Sequence, residues 1–100
     1  MSTTPESKVK KRVREVLDKL GIYHFMPPAN GFGRAGIPDI IACMDGHFIA
    51  IECKAGKGTT TALQDRELER IRSAGGTTFI AREDNIDELQ QLLKGKARGI

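Results

Sequence analysis

Residues 36–56, GIPDIIACMDGHFIAIECKAG, hold the stretch whose reading decides the fold. Two apolar runs, Ile37 to Met44 and His47 to Lys54, flank the dipeptide Asp45-Gly46. Asp-Gly between such runs is a strong signal for a tight hairpin, because both central residues of that turn need positive φ. With Asp45-Gly46 as the turn, Met44 pairs with His47, Cys43 with Phe48, Ile41 with Ala50 and Asp39 with Glu52. A four-residue loop closed by Cys43 and Phe48 gives the same register, whereas a bulged three-residue loop shifts it by one. In the tight-turn register the two carboxylates are direct cross-strand neighbours, about 5 Å apart at Cβ. Lys54 lies on the same face, two residues beyond Glu52.

Like charges placed opposite one another destabilise a sheet. A solvated face would dilute the repulsion, but Ile41, Cys43, Phe48 and Ala50 share this one. Keeping one carboxyl protonated removes the repulsion at a cost. A bound divalent cation removes it most simply, since Mg²⁺ takes oxygen ligands, usually one or two carboxylates completed by waters and substrate phosphate. Lys54 then stands beside the ion as a point charge able to hold a phosphate or a water.

Working outward, Val9, Val13, Val16, Leu17 and Leu20 repeat at helical spacing and predict a helix over 5–20, capped by Thr4, started at Pro5 and stopped at Gly21. Glu6 falls on the same stripe. It either serves the helix dipole in the first turn or joins the acidic pair. Ile22 to Met26 reads as a short strand ended by Pro27-Pro28, and ANGFGRAG as a loop. After the hairpin come a flexible AGKGTTT link, a helix over 62–74 with Leu63, Leu68 and Ile71 inward, and a strand over 77–81. The last helix is expected over 86–94, capped by Asn85 with Glu88 three residues on, leaving a frayed tail from 95 to 100. The fold class is α/β: one small domain, in the order αβββαβα, with a mixed central sheet flanked by helices.

The 100 residues carry a formal charge of +3, with a pI of about 9.1, a mild bias toward polyanions. Basic residues crowd at Lys8, Lys10, Lys11, Arg12 and Arg14, then at Arg34, Lys54 and Lys57, then at Lys94, Lys96 and Arg98. The first cluster is either a phosphate-binding face, with Lys10, Lys11 and Arg14 as its contacts, or ordinary solvated helix surface. Arg34 and Lys57 are candidates on loops, and Arg34 equally reads as a solvated arginine. With only four Phe and one Tyr, a stacking platform for single strands is not expected. The two cysteines and two histidines lack zinc-type spacing, and the register sends Cys43 and Cys53 to opposite faces. Reduced, buried thiols are the expectation, in a cytoplasmic protein. No apolar run is long enough to span a bilayer, and the charged start has no signal-like segment. His24 reads as structural, with no sequence neighbour to partner it as a base.

Pro38-Asp39 followed by Glu52-Cys53-Lys54 resembles the PD-(D/E)xK nuclease motif. Glu6 in the early helix, Gly36-x-Pro38-Asp39 and Gln64 in the following helix resemble more narrowly the virus-type replication-repair nuclease (VRR-NUC) domain. The resemblance runs from Glu6 to Ala81. It implies a restriction-endonuclease-like fold and cleavage of DNA phosphodiesters dependent on Mg²⁺ or Mn²⁺. Asp39 and Glu52 would be metal ligands, joined by the Cys53 carbonyl and by Glu6 directly or through water, and Lys54 would be the catalytic lysine. Gln64 has two readings, an active-site glutamine or the closing residue of a Thr61-x-x-Gln64 capping box. Stand-alone members of the family imply a homodimer acting on branched DNA, four-way (Holliday) junctions in particular. The competing expectations are a non-catalytic DNA-binding module of the same fold, and a nuclease for flaps or RNA.

Overall fold

A computed structural model describes residues 4–28 and 35–98, with side chains through residue 95. Seven elements follow in order: α1 (Pro5–Lys19), β1 (Tyr23–Phe25), β2 (Ile40–Met44), β3 (His47–Cys53), α2 (Ala62–Ser73), β4 (Thr77–Ala81) and α3 (Ile86–Arg98). The strands form one sheet in the order β1-β2-β3-β4. β1–β2 and β2–β3 are antiparallel and β3–β4 is parallel, so the sheet is mixed as expected.

The hairpin has the tight-turn register. Met44 pairs with His47, Cys43 with Phe48 and Ile41 with Ala50. Asp45 and Gly46 adopt φ of 50° and 84°, the two positive values this turn requires. Alternation then sorts the side chains. Ile40, Ala42, Ile49, Ile51 and Cys53 enter a core with Val9, Val13 and Leu17 of α1 and Ile86, Leu89 and Leu93 of α3. Each such fully buried aliphatic contributes roughly 1.5–3 kcal/mol. The opposite face carries Phe48, Ala50 and Glu52, and α2 covers part of it. Arg72 of α2 donates to Thr78 Oγ1 of β4 at 2.8 Å, and Ile71 lies against Gly76 and Phe48.

Several local expectations need correction. Leu63 is exposed, while Glu67 of α2 is buried beside Leu68. Asn85 does not cap α3 with its side chain. It turns back instead, its Oδ1 accepting Arg82 N–H at 2.7 Å and its Nδ2 donating to Ile80 O at 2.8 Å. α3 continues past Lys94 to Arg98, because nothing in the Gly95 backbone interrupts it. Both cysteines are free, but Cys43 is exposed rather than buried.

The approach to the hairpin depends on one glycine. Gly36 has φ of +81°, and a Cβ there would collide with the Leu63 carbonyl and sit 2.9 Å from Gln64 N. Backbone thus meets backbone where α2 begins. The Gly36→Ala variant is expected to lose well over ~1 kcal/mol in urea unfolding, through both φ strain and displacement of α2. Gly46→Ala, whose Cβ meets nothing within 4 Å, should lose only the strain component. Equal losses for the two variants would contradict this packing.

Candidate active site

β2 begins at Ile40, so Asp39 stands one residue outside the ladder and its side chain reaches across to the neighbouring strand. Its Oδ2 accepts the backbone N–H of Cys53 at 2.8 Å. Glu52, opposite in the register, is only 1% exposed. Its Oε2 is a buried acceptor with no hydrogen-bond partner among the described residues. Burial pushes the Glu52 carboxyl up to about 9, and hydrogen bonding to Asp39 and the Asp39 charge push the same way, against a downward pull from Lys54. At neutral pH Glu52 therefore keeps its proton beside Asp39. This is the second of the three remedies that the repelling pair allowed.

Lys10 is the residue that a helical projection misplaced. Its Nζ lies 3.6 Å from Glu6 Oε2, one helical turn away, and 3.5 Å from Asp39 Oδ1. Burial works to lower its pKa, but the charges of Asp39 and Glu6 outweigh that and raise it. Lys10 therefore belongs to the acidic cluster and not to a free phosphate-binding face. Its neighbours Lys8, Lys11 and Arg14 are exposed. Burial, with the charges of Asp39 and Glu52, pushes the Cys53 thiol up to about 12, so it remains neutral beside them.

Lys54 is half-buried just past the end of β3, where its N–H donates to Ala81 O at 2.9 Å. The loop beyond it is braced by residues that the sequence reading missed. The Glu83 carboxylate accepts Gly56 N–H at 3.0 and 3.1 Å. Arg82 Nη1 donates to Gly58 O at 2.7 Å, and Arg12 Nη1 donates to Glu83 O at 3.1 Å. The available signal was the charged Arg82-Glu83 pair immediately after a strand that runs parallel to β3. Lys57 is exposed on this loop. Gln64 closes the expected capping box: its Oε1 accepts Thr61 N–H at 2.9 Å and its N–H donates to Thr61 Oγ1 at 3.2 Å. The contact at Gly36 sets that helix start against the segment leading to Asp39. Arg34 lies outside the described residues. His24 is structural, its Nδ1 2.9 Å from Ile22 O and its Nε2 3.6 Å from Asp18.

A family model described as archaeal Holliday junction resolvase (Hjc) matches residues 5–94. The chain belongs to the archaeal Holliday junction resolvase family. This family lies in the PD-(D/E)xK nuclease superfamily that the hairpin motif resembled. Two solved structures extend the likeness. One described as a VRR_NUC domain superposes with a TM-score of 0.77 at 27% identity, covering 89% of this chain and 97% of its own. A second, a VRR_NUC domain protein, gives 0.69 at 21% identity over 94% and 92% of the two chains, and speaks for the fold alone. No curated protein sequence matches the chain. The chain is therefore a nuclease-family domain related to Holliday junction resolvases.

Enzymes of this kind use a divalent metal, and the residues present fit one in part. Among the described residues no three His, Cys, Asp or Glu side chains converge into a ready cage. A Mg²⁺-like ion does not need three, since one or two carboxylates suffice when waters and phosphate complete the shell. The orphaned Glu52 Oε2 is a donor atom of the kind such an ion would engage.

The raised Glu52 carboxyl has a measurable consequence. The folded protein holds a proton that the unfolded chain releases above pH ~4.5, so this group's stabilisation is complete below that pH and is lost as pH rises toward about 9. Lys10 and Cys53 titrate above this window, and Glu83, lowered by its own and Gly56's backbone N–H groups, titrates below it. Tm of the metal-free protein should fall between pH 5 and 9, and Glu52→Gln should flatten that slope. An identical slope in the variant would show that Glu52 is not the titrating group.

Proposed function

We propose that the protein is a divalent-metal-dependent endodeoxyribonuclease that acts as a homodimer on four-way DNA junctions. The observation that carries this reading is the pairing of Asp39 with the buried Glu52, which has an unpartnered carboxylate oxygen, with Lys54 two residues on, just past the end of β3. Asp39 and Glu52 would hold Mg²⁺ or Mn²⁺, with the Cys53 carbonyl as a further candidate and Glu6 reaching the ion through a water. When bound, such an ion makes water a nucleophile near neutral pH and offsets charge on the phosphate. The remaining work falls to the chain. The Cys53 N–H holds Asp39 in one rotamer, so the carboxylate is oriented before any ligand arrives. Glu52 would favour its ionised form beside a bound cation, its proton passing to solvent to leave a charged ligand. Lys54 places a fixed positive charge where the phosphorane-like transition state gains negative charge. Arg82 and Glu83 stiffen the loop that follows Lys54 and carries Lys57.

Substrate preference rests on the family and on symmetry. A four-way junction has two equivalent strands to cut, and a two-fold axis sets two sites at the required spacing. The uncovered part of the sheet supplies a surface for that axis. Tyr23, Cys43 and Phe48 stand in one cross-strand row, with Phe25 in the next and Met26 beside it. Tyr23 is 70% exposed, and its ring centroid lies 6.4 Å from that of Phe25. The exposed Lys8, Lys11 and Arg14 of α1 and Lys57 are available for backbone phosphates.

The test is a cleavage panel on linear duplex, flap, RNA and four-way substrates with Mg²⁺, Mn²⁺ or EDTA, at a protein concentration also measured by light scattering. Paired nicks in the junction, no cutting in EDTA and a mass near twice the chain's 11.0 kDa are expected. Asp39→Ala, Glu52→Ala and Lys54→Ala should each lose on the order of 10²-fold or more in rate while still folding. Junction binding with no cleavage under any metal would leave a DNA-binding module, and duplex cut as fast as junction would remove the structure selectivity.

A further inference from the structure

The charge arrangement at the site is lopsided in a specific way. Asp39 has two carboxylate oxygens, and both are spoken for by different parts of the chain. Oδ2 is fixed by the Cys53 backbone N–H at 2.8 Å, a contact that moves only if β3 moves. Oδ1 faces Lys10 Nζ at 3.5 Å, a contact held only by a flexible side chain. Lys10 also has a second anchor: Glu6 lies one turn earlier on the same helix, with Oε2 3.6 Å from the same nitrogen. Leaving Asp39 would thus not strand the ammonium without a partner. At 32% side-chain exposure it also has room to swing. No sequence motif marks this position, because the helix stripe assigns Lys10 to the solvent side.

We propose that Lys10 is the internal counter-ion of the site, occupying Asp39 Oδ1 in the metal-free protein and withdrawing toward Glu6 when a divalent cation binds. Rested on the metal-dependent reading above, Lys10 is a positioning residue that sets the metal affinity of the site. An ammonium and a divalent cation placed on one carboxylate oxygen repel each other, so one must yield. The exchange keeps the acidic cluster compensated in either state: a tethered monovalent charge when the ion is absent, the ion when it is present. It also makes metal binding weaker than the carboxylates alone would allow, because each binding event must break the Lys10–Asp39 pair.

The experiment titrates Mn²⁺ into DNA-free protein and follows the EPR signal of the free ion, so no catalysis is involved. Wild type, Lys10→Met, Lys10→Arg and Asp39→Ala are compared at low salt, with circular dichroism to establish that each is folded. Lys10→Met keeps the length and helix propensity of the side chain and removes only its charge. It should tighten Mn²⁺ binding roughly three- to fivefold, the size that a single partly exposed ion pair supports. Lys10→Arg should remain within about twofold of wild type, since the charge persists. Lys10→Gln repeats the test should the methionine variant misfold. Unchanged or weaker binding by the uncharged variants, with Asp39→Ala still abolishing it, would overturn the counter-ion role and leave the metal site standing. Wild type that binds no more Mn²⁺ than Asp39→Ala would remove the metal site and this inference with it.

Discussion

Glu52 is buried beside Asp39 at the open end of the β2–β3 hairpin, and burial with the neighbouring Asp39 holds its carboxyl up at about 9. Two carboxylates this close cannot both be charged in a buried setting without compensation. The structure answers by burying Glu52 as the acid and leaving Asp39 as the outward-facing partner, tied to Cys53 N–H on one oxygen and to Lys10 on the other. The hairpin has to be rigid for this to persist, and the tight Asp45-Gly46 turn with strands on both sides makes it so. A floppier element would let the carboxylates separate into water, and the repulsion between them would relax.

The remainder of the fold can be understood as support for that corner. α1 brings Glu6 and Lys10 to it from the core face, and the same helix seals the core with Val9, Val13 and Leu17. α2 comes to it from the opposite face, and its start is held close at Gly36, where a Cβ would collide with the Leu63 carbonyl. β4 reaches it through Ala81, which receives the Lys54 N–H, and through Arg82 and Glu83, which brace the loop that follows. Stability is spent here at a buried, unpartnered oxygen, whose desolvation costs about 1–3 kcal/mol. Such a cost, retained at the residue that the motif singles out, is what a functional site asks of its scaffold.

How far the sequence reached depended on the kind of rule available. The hairpin register and the opposed faces of Cys43 and Cys53 were legible because turn chemistry and two-residue alternation are local and rigid. The capping box at Thr61 and Gln64 was legible for the same reason. Lys10 was not, because a helical projection tells which way Cβ points and not where a four-carbon stem ends. The bracing by Arg82 and Glu83 was hidden too, since it joins residues 24 and 27 positions apart through a parallel crossover that only the folded chain brings together. Asn85 carried a capping signal in sequence but found stronger backbone partners at Arg82 and Ile80. Leu63 followed the apolar pattern and still faces solvent, because the first turn of α2 packs by its backbone against Gly36.

The central claim is that Glu52 is a buried acid, protonated beside Asp39, whose proton is released to solvent when a divalent cation binds. The most direct measurement is a ¹³C NMR titration of the Glu52 side-chain carboxyl, with and without saturating Mg²⁺. The account predicts a midpoint near 9 in the metal-free protein and a carboxylate already ionised at neutral pH once Mg²⁺ is bound. A midpoint near the ordinary 4.5, unmoved by Mg²⁺, would contradict it.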